Sequence, residues 1–242
     1  MLLERKRPET RAGGFARDDG TVTFYTRVNS LIEPHMTVLD LGAGRGSKLL
    51  GPSTFTSRLV RLQGKAKKVI GIDVDDAIKQ HPFLDERHVI EVGAPYPLPD
   101  ASVDLIVSEW VLEHITDPAP FAAEIERVLR PGGWFIGLTP SRWSYVAMGA
   151  TIIPSSMHDA VIRKVWPERH VDDVFPTVYR LNTPGALKRY FSSDRWLHCS
   201  YATDGTPKYH ANNWLLFTLF DLVHKLTPAA LKTELVVLLQ KR

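Results

Sequence analysis

The apolar run Thr37-Val38-Leu39 leads straight into Asp40-Leu41-Gly42-Ala43-Gly44-Arg45-Gly46, so a buried strand closes on an acid and then on a turn of three alternating glycines. Glycine tolerates positive φ and has no Cβ, so such a turn bends sharply and lets a ligand reach contact distance of its amides. The pattern points to an α/β chain that meets its ligand at a strand tip, and the expected ligand is a nucleoside.

The spacing separates two kinds of nucleoside. The dinucleotide fingerprint puts its third glycine three positions after the second, but that position is Ser47 here and the glycine comes at Gly46. A second apolar run, Val69-Ile70-Gly71-Ile72, also ends in a carboxylate, Asp73, followed by Val74 and Asp75. A carboxylate at that place can accept both ribose hydroxyls. The interval between the acids exceeds the dinucleotide pattern's roughly 20 residues, because residues 47 to 68 carry a longer, basic excursion.

Gly-x-Gly-x-Gly after Asp-Leu resembles motif I of class I S-adenosylmethionine-dependent methyltransferases. The resemblance continues through Leu98-Pro99-Asp100-Ala101-Ser102-Val103-Asp104, then Val111-Leu112-Glu113-His114, then Glu126-Arg127-Val128-Leu129-Arg130-Pro131-Gly132-Gly133. It implies S-adenosyl-L-methionine as cofactor. Asp40 then reaches the amino group of the methionine part, and Gly42, Ala43, Gly44 and Gly46 lie under the sugar and sulfonium. Asp73 takes the ribose, Val74 flanks the adenine, and Ser108 and Glu109 close the fourth strand beside the cofactor. Many relatives hold the adenine amino group with an acid after the third strand. This chain reads Glu91-Val92-Gly93-Ala94 there, so backbone near Gly93 and Ala94 is expected to hold the ring.

The implied fold is a Rossmann-like three-layer α/β/α sandwich with a seven-stranded, mostly parallel sheet whose last strand, within Leu231 to Gln240, inserts antiparallel at the edge. Val103 to Val107 reads as the fourth strand and Pro120 to Leu129 as a helix. Pro131-Gly132-Gly133 reads as its stop, and Trp134 to Leu138 as the fifth strand. A single domain over 1–242 follows, with a cap helix in 1–33, a cofactor-binding core in 34–141, a substrate lid in 142–190, and the final strands and a helix in 191–242.

Composition sets limits. The net charge of +3 is too small to imply nucleic acid, and the basic clusters Arg58, Arg61, Lys65, Lys67, Lys68 and Arg5-Lys6-Arg7 lack the interleaved aromatics that stack on bases. The lone Cys199 excludes an internal disulfide and reads as a small apolar residue on a Trp196 to Tyr201 strand. Charge follows Met1-Leu2-Leu3 at once, so no secretory signal is read and a cytoplasmic location is expected. No run reaches the roughly 20 apolar residues of a bilayer span. The apolar run Trp214-Leu215-Leu216-Phe217-Thr218-Leu219-Phe220 is expected to pack in the core, with peripheral membrane contact through 213–223 as the competing reading.

Phe24, Tyr25 and Arg27 on the Thr21 to Leu31 helix are lid candidates. The stretch 142–190, rich in Trp, Tyr, His and Pro, is too long for a passive connection and is the acceptor-site candidate. Its named residues are Tyr145, His158, His170, Asp172, Asp173, Tyr179 and Arg180; Asn182-Thr183-Pro184 then opens a helix through Tyr190. Asp173-Val174-Phe175-Pro176-Thr177-Val178-Tyr179-Arg180-Leu181-Asn182-Thr183, with Phe15, Asp19-Gly20 and Phe24-Tyr25, resembles a bacterial methyltransferase subgroup found near polysaccharide genes. That likeness implies a small-molecule or glycan-type acceptor.

Methyl transfer from a sulfonium is an in-line displacement that chiefly needs positioning and exclusion of water. An alcohol acceptor must also lose a proton, and His114, just after the fourth strand, is the candidate base; capping of a local helix is the alternative. Some relatives bind magnesium through Glu-x-x-Glu-His, but Trp110 stands where the first Glu belongs and the acid is Glu109, so no metal is expected. Two other classes stay open: a non-catalytic cofactor-binding module, and a nicotinamide-dependent oxidoreductase. Ser47 and the lack of a Tyr-x-x-x-Lys spacing disfavour the second.

Overall fold

The structure is a computed structural model, and it describes residues 2–51, 53–145, 147–148, 176–207 and 210–242. Its centre is one mixed sheet in the order β3-β2-β1-β4-β5-β8-β6, with β7 also paired to β8. The parallel part is β1 (Thr37–Leu41), β2 (Lys68–Asp73), β3 (Glu86–Val89), β4 (Val103–Glu109) and β5 (Leu129–Pro140). Strands covered on both faces read as near-continuous apolar runs, and alternate side chains part to opposite sides. Leu39, Ile70, Ile106 and Phe135 join one apolar cluster with Phe121 and Ile125. Val38, Val69, Leu105 and Ile136 join the other with Phe24 and Val28.

These two covering layers are largely helical. On the first face lies α4 (Pro118–Val128), N-capped by Asp117, and beside it α5 (Pro184–Tyr190), N-capped by Thr183. On the second lie α2 (Gly20–Asn29), whose Asp19 cap accepts from Val22 N, and α3 (Phe55–Val60), closed by a Thr54–Ser57 capping box. The short α1 (Leu2–Lys6) precedes them. The result is a Rossmann-like α/β/α sandwich.

Several elements differ from the sequence reading. The run after Trp196 splits into β6 (Trp196–His198) and β7 (Tyr201–Thr203), making eight strands among the described residues. Both pair with β8 (Glu234–Lys241), β6 near its end and β7 near its start, so the two share one edge. Cys199 falls in the break and is exposed, with its amide on the Leu238 carbonyl. Antiparallel β8 therefore lies between β5 and β6 instead of at the edge, as its run of buried residues from Glu234 to Leu239 requires.

Pro131-Gly132-Gly133 does not separate helix from strand. The chain passes from α4 directly into β5, and the Pro-Gly-Gly forms a wide bulge between the Val103–Leu129 and Leu105–Trp134 pairs, with Gly132 at φ +79°. The expectation that the Trp214 helix is core is also overturned. In α6 (Trp214–Leu226) only Phe217 and His224 are buried, because its inner side meets polar and aromatic partners (Arg7, Tyr145) instead of a sheet face.

Candidate functional site

In an open parallel sheet, ligands bind beyond the carboxyl ends of the strands where the strand order reverses, here between β1 and β4. The glycine turn after β1 occupies that place, and its three glycines do different work. At Gly42, φ +76°, a Cβ would stand 2.1 Å from Val111 Cγ2; at Gly46, φ +68°, it would stand 2.6 Å from His81 Cδ2. Those two let the turn pack. At Gly44, φ +54°, the only atom near a Cβ is Asp73 Oδ2 at 4.0 Å, so this residue leaves room above the turn.

Asp73, at the tip of β2, accepts the Gly44 amide on Oδ2 at 2.7 Å and the Asp75 amide on Oδ1 at 2.9 Å. Each oxygen retains acceptor capacity, as a pair of ribose hydroxyls requires. A cavity of about 630 Å³ opens over this carboxylate, walled by Val74, Gly93, Ala94, Trp110, His114 and Phe121 among others. Arg127 fastens the wall near Ala94 by donating to the carbonyls of Tyr96 and Leu98, while Glu124 accepts the Tyr96 amide.

A second cavity of about 170 Å³ lies under the turn and holds Asp40, Tyr25, Lys48, His81, Glu109 and Trp110. Gly42, Ala43, Gly46, Ser47, Glu109 and Trp110 border both, so the two spaces adjoin across the turn. The Tyr25 hydroxyl donates to Glu109 Oε2 at 3.3 Å, and the Lys48 ammonium pairs with Glu109 Oε1. Burial, then the charges of Glu109 and Asp73, push the Asp40 carboxyl up to about 7, against a smaller opposing pull from Lys48. Burial and Glu109 also hold the Tyr25 hydroxyl protonated, well above its ordinary range. This cavity is a concentration of negative charge with one lysine as its counterion, which suits the cationic end of a ligand.

His114 stands on a 3₁₀ turn at the rim of the larger cavity. Its Nδ1 lies 2.9 Å from the Pro176 carbonyl, which can only accept, so Nδ1 carries the proton and Nε2 of the neutral ring is a base. Nε2 lies 3.9 Å from Glu113 Oε1. Glu113 is buried; its Oε2 accepts from the Thr139 hydroxyl at 2.9 Å, and Asn182 Nδ2 donates to that hydroxyl at 2.6 Å. The Glu113 carbonyl accepts the amides of Val178 and Tyr179, so the returning segment 176–182 is laced to the tips of β4 and β5.

The sequence-derived residues divide accordingly. Asp40, the glycine turn, Asp73, Val74, Gly93, Ala94, Glu109 and His114 all border one cavity or the other. Ser108 borders neither; it is fully buried on β4, because neighbours on a strand face opposite sides and Glu109 takes the cavity side. Tyr25 sits in the smaller cavity with Asp40, apart from the acceptor side. Tyr145 lies away from both, stacked on Phe220 with its hydroxyl 2.9 Å from His224 Nε2. Tyr179 and Arg180 are bound to backbone at Glu113 and Thr116, and their neighbours Pro176 and Val178 line the cavity instead. His158, His170, Asp172 and Asp173 lie outside the described residues. Val92, at the place of the missing adenine acid, is 78% exposed at the rim.

Glu109 and Glu113 turn to different partners. Trp110 takes φ +59° and breaks the run, sending Glu109 toward Lys48 and Glu113 toward Thr139. Trp110 and Lys48 also border the smaller cavity, beyond the residues that the motif pattern marks. A tryptophan directly after a strand-ending acid was the available signal for the first, whereas Lys48 was one cation in a basic stretch.

Residues 39–137 match the family model of a methyltransferase domain. A probable S-adenosylmethionine-dependent methyltransferase of Mycolicibacterium smegmatis is 47% identical over 87 residues, 33% of this chain and 32% of that protein. The match thus spans about a third of that relative's length. The ubiquinone biosynthesis O-methyltransferase of Paramagnetospirillum magneticum is 29% identical over 154 residues, 56% of this chain and 57% of that one. The solved S-adenosylmethionine-dependent methyltransferase of Mesorhizobium loti shares the fold at TM-score 0.53 and 15% identity, covering 92% of this chain and 99% of that chain.

Proposed function

We propose that this chain, whose core is a class I S-adenosylmethionine-dependent methyltransferase domain, moves a methyl group to an oxygen, or a nitrogen, of a small-molecule or glycan-type acceptor. The observation that carries the reading is the placing of Asp40 and Asp73 at adjoining strand tips, on either side of a turn whose middle glycine leaves open space. S-adenosylmethionine supplies a methyl group on a positively charged sulfur. Asp73 would hold the ribose, with Val74, Gly93 and Ala94 around the adenine. Asp40, Glu109 and Tyr25 would receive the methionine end, where negative charge is already concentrated.

The acceptor would enter beside His114, Pro176 and Val178. For an alcohol, His114 Nε2 would take the hydroxyl proton while the oxygen bonds to the methyl carbon, the carbon–sulfur bond breaks and S-adenosylhomocysteine leaves as the neutral thioether, and Glu113 would stabilise the imidazolium that forms. A neutral amine would need no such base. The O-methyltransferase among the relatives supports an oxygen acceptor, and the likeness of 173–183 to a subgroup near polysaccharide genes supports a sugar hydroxyl or carboxyl.

Titration calorimetry with S-adenosylhomocysteine, followed by radiolabelled methyl transfer to a panel of sugars, phenols and amines, tests both parts. Binding heat and label on an oxygen acceptor are expected. No heat with either S-adenosylmethionine or its demethylated product overturns the reading.

A further inference from the structure

Helix α6 carries an apolar face that no described element covers. Leu215, Leu219, Leu222 and Leu226 recur at spacings of four, three and four, one stripe of a helix, and all are exposed, with Leu215 at 69% and Leu226 at 74%. Trp214 begins the helix half exposed. The opposite side is fixed. Arg7, just after α1, forms ion pairs with Asp18 and Asp221, Tyr145 stacks on Phe220, and Phe217 is fully buried. The stripe therefore faces outward on a helix that is held in place. The exposed Leu3 on α1 adds to it, because Lys6 of the same helix lies over the Trp214 ring, 3.4 Å from its centroid.

The charges on these two helices choose the occupant. The acids Glu4 and Asp221 are engaged by Arg11 and by Arg7 and Lys225, which leaves Arg5 and Lys6 to bring positive charge to the rim. A second copy seated by twofold symmetry would set this basic rim against itself, like charge on like charge. An anionic lipid surface offers apolar depth to the leucines, an interfacial level to Trp214 and negative headgroups to the cations. We propose that α6, with the edge of α1, is an interfacial membrane-docking face for anionic bilayers.

The face lies close to the working end of the sheet. Asp18 immediately precedes the cap of α2, and Tyr145 follows soon after the end of β5. Docking would bring the cavity region near the bilayer surface, where an amphiphilic acceptor resides. This extension rests on the proposed methyltransferase activity; the docking itself does not.

Co-sedimentation of the full chain with vesicles of phosphatidylcholine alone, or with one third phosphatidylserine, tests it without any acceptor. The chain should pellet with the anionic vesicles, and binding should weaken by about fivefold for each of Arg5 and Lys6 replaced by Gln. The double variant Leu215→Asp with Leu219→Asp should lose binding by at least about tenfold while keeping its melting temperature and S-adenosylhomocysteine affinity, since both positions are on the surface. Absence of wild-type sedimentation, or equal sedimentation of the double variant, overturns the proposal. So does a wild-type dimer that the double variant converts to monomer without vesicle binding, which would assign the face to a second copy.

Discussion

The Gly44 amide donates to Asp73 Oδ2 at 2.7 Å, so the turn after β1 is fastened to the tip of β2 by the same carboxylate that faces the larger cavity. One side chain both shapes the turn and presents acceptors above it. The position of the turn relative to this acid is thus fixed before any ligand arrives, which lowers the ordering cost of binding.

Gly42 and Gly44 should therefore fail in opposite ways when replaced by alanine. At Gly42 the new methyl meets Val111 Cγ2 on a left-handed backbone, and stability should fall by about 2–4 kcal/mol. At Gly44 there is space, so the backbone alone costs about 1 kcal/mol, but the methyl enters the region the ligand needs. Thermal melts and calorimetry with S-adenosylhomocysteine separate the two. Equal melting losses with unchanged binding in both would contradict the division of labour.

Asp40 makes binding pH-dependent. Its ordinary value is 3.8, and burial with Glu109 and Asp73 moves it to about 7 in the folded chain. Between those values the folded state holds a proton that the unfolded state has lost, so this group's contribution to the stability of the unliganded chain falls as pH rises from about 4 to about 7. A cationic ligand prefers the ionised form. Its affinity should rise by about tenfold per pH unit up to about 7 and then level off, with proton release below that point. Calorimetry in two buffers of different ionisation heat measures the release. Lys48→Met removes the opposing cation and should move the break to higher pH; a flat profile in the parent chain would detach Asp40 from the ligand's charge.

Much of the frame is legible in the sequence because it rests on local patterns. Two apolar runs each ending in an acid, and glycines where the backbone is left-handed, identify β1, β2 and the turn between the cavities without tertiary information. Alternation along a strand could also have excluded Ser108 once Glu109 was chosen. What is not legible depends on partners distant in the chain. Lys48 meets Glu109 across 61 positions, and nothing local marks it among its basic neighbours. Tyr145 and Tyr179 stand out by residue type alone in a long loop, with no period to orient them, and the first turns to α6 while the second serves Glu113 through its backbone. The exposure of α6 is illegible for a related reason: hydrophobicity reports the affinity of a helix for apolar surroundings, not whether this fold supplies them.

The buried link from Asn182 through Thr139 to Glu113 should be felt in both folding and chemistry. Glu113→Ala leaves the Thr139 hydroxyl without its acceptor, a loss of about 1–3 kcal/mol, or on the order of 5 °C in melting temperature. Glu113→Gln keeps an acceptor and should retain most of that stability, yet it removes the charge 3.9 Å from His114 Nε2. Turnover on an alcohol should therefore fall in the Gln variant, because the imidazolium formed at His114 loses its neighbouring charge, while S-adenosylhomocysteine affinity stays within about twofold. Unchanged alcohol turnover in a stable Gln variant would leave Glu113 with a purely structural role.

His114 carries the sharpest test of the acceptor chemistry. Its Nδ1 proton is committed to the Pro176 carbonyl, leaving Nε2 as the only ring atom able to take a proton in the neutral state. If an alcohol is methylated, His114→Ala should lower turnover by about 10²- to 10⁴-fold, the range for a positioned general base, with S-adenosylhomocysteine affinity held within about twofold. His114→Asn keeps a polar side chain but supplies no base, so it should be as slow as the alanine variant; recovery of rate in Asn would mean that the ring only positions segment 176–182. Exogenous imidazole restoring part of the alanine variant's rate would identify the missing function as proton transfer. Unchanged turnover in both variants, measured on the same alcohol, removes His114 from the reaction.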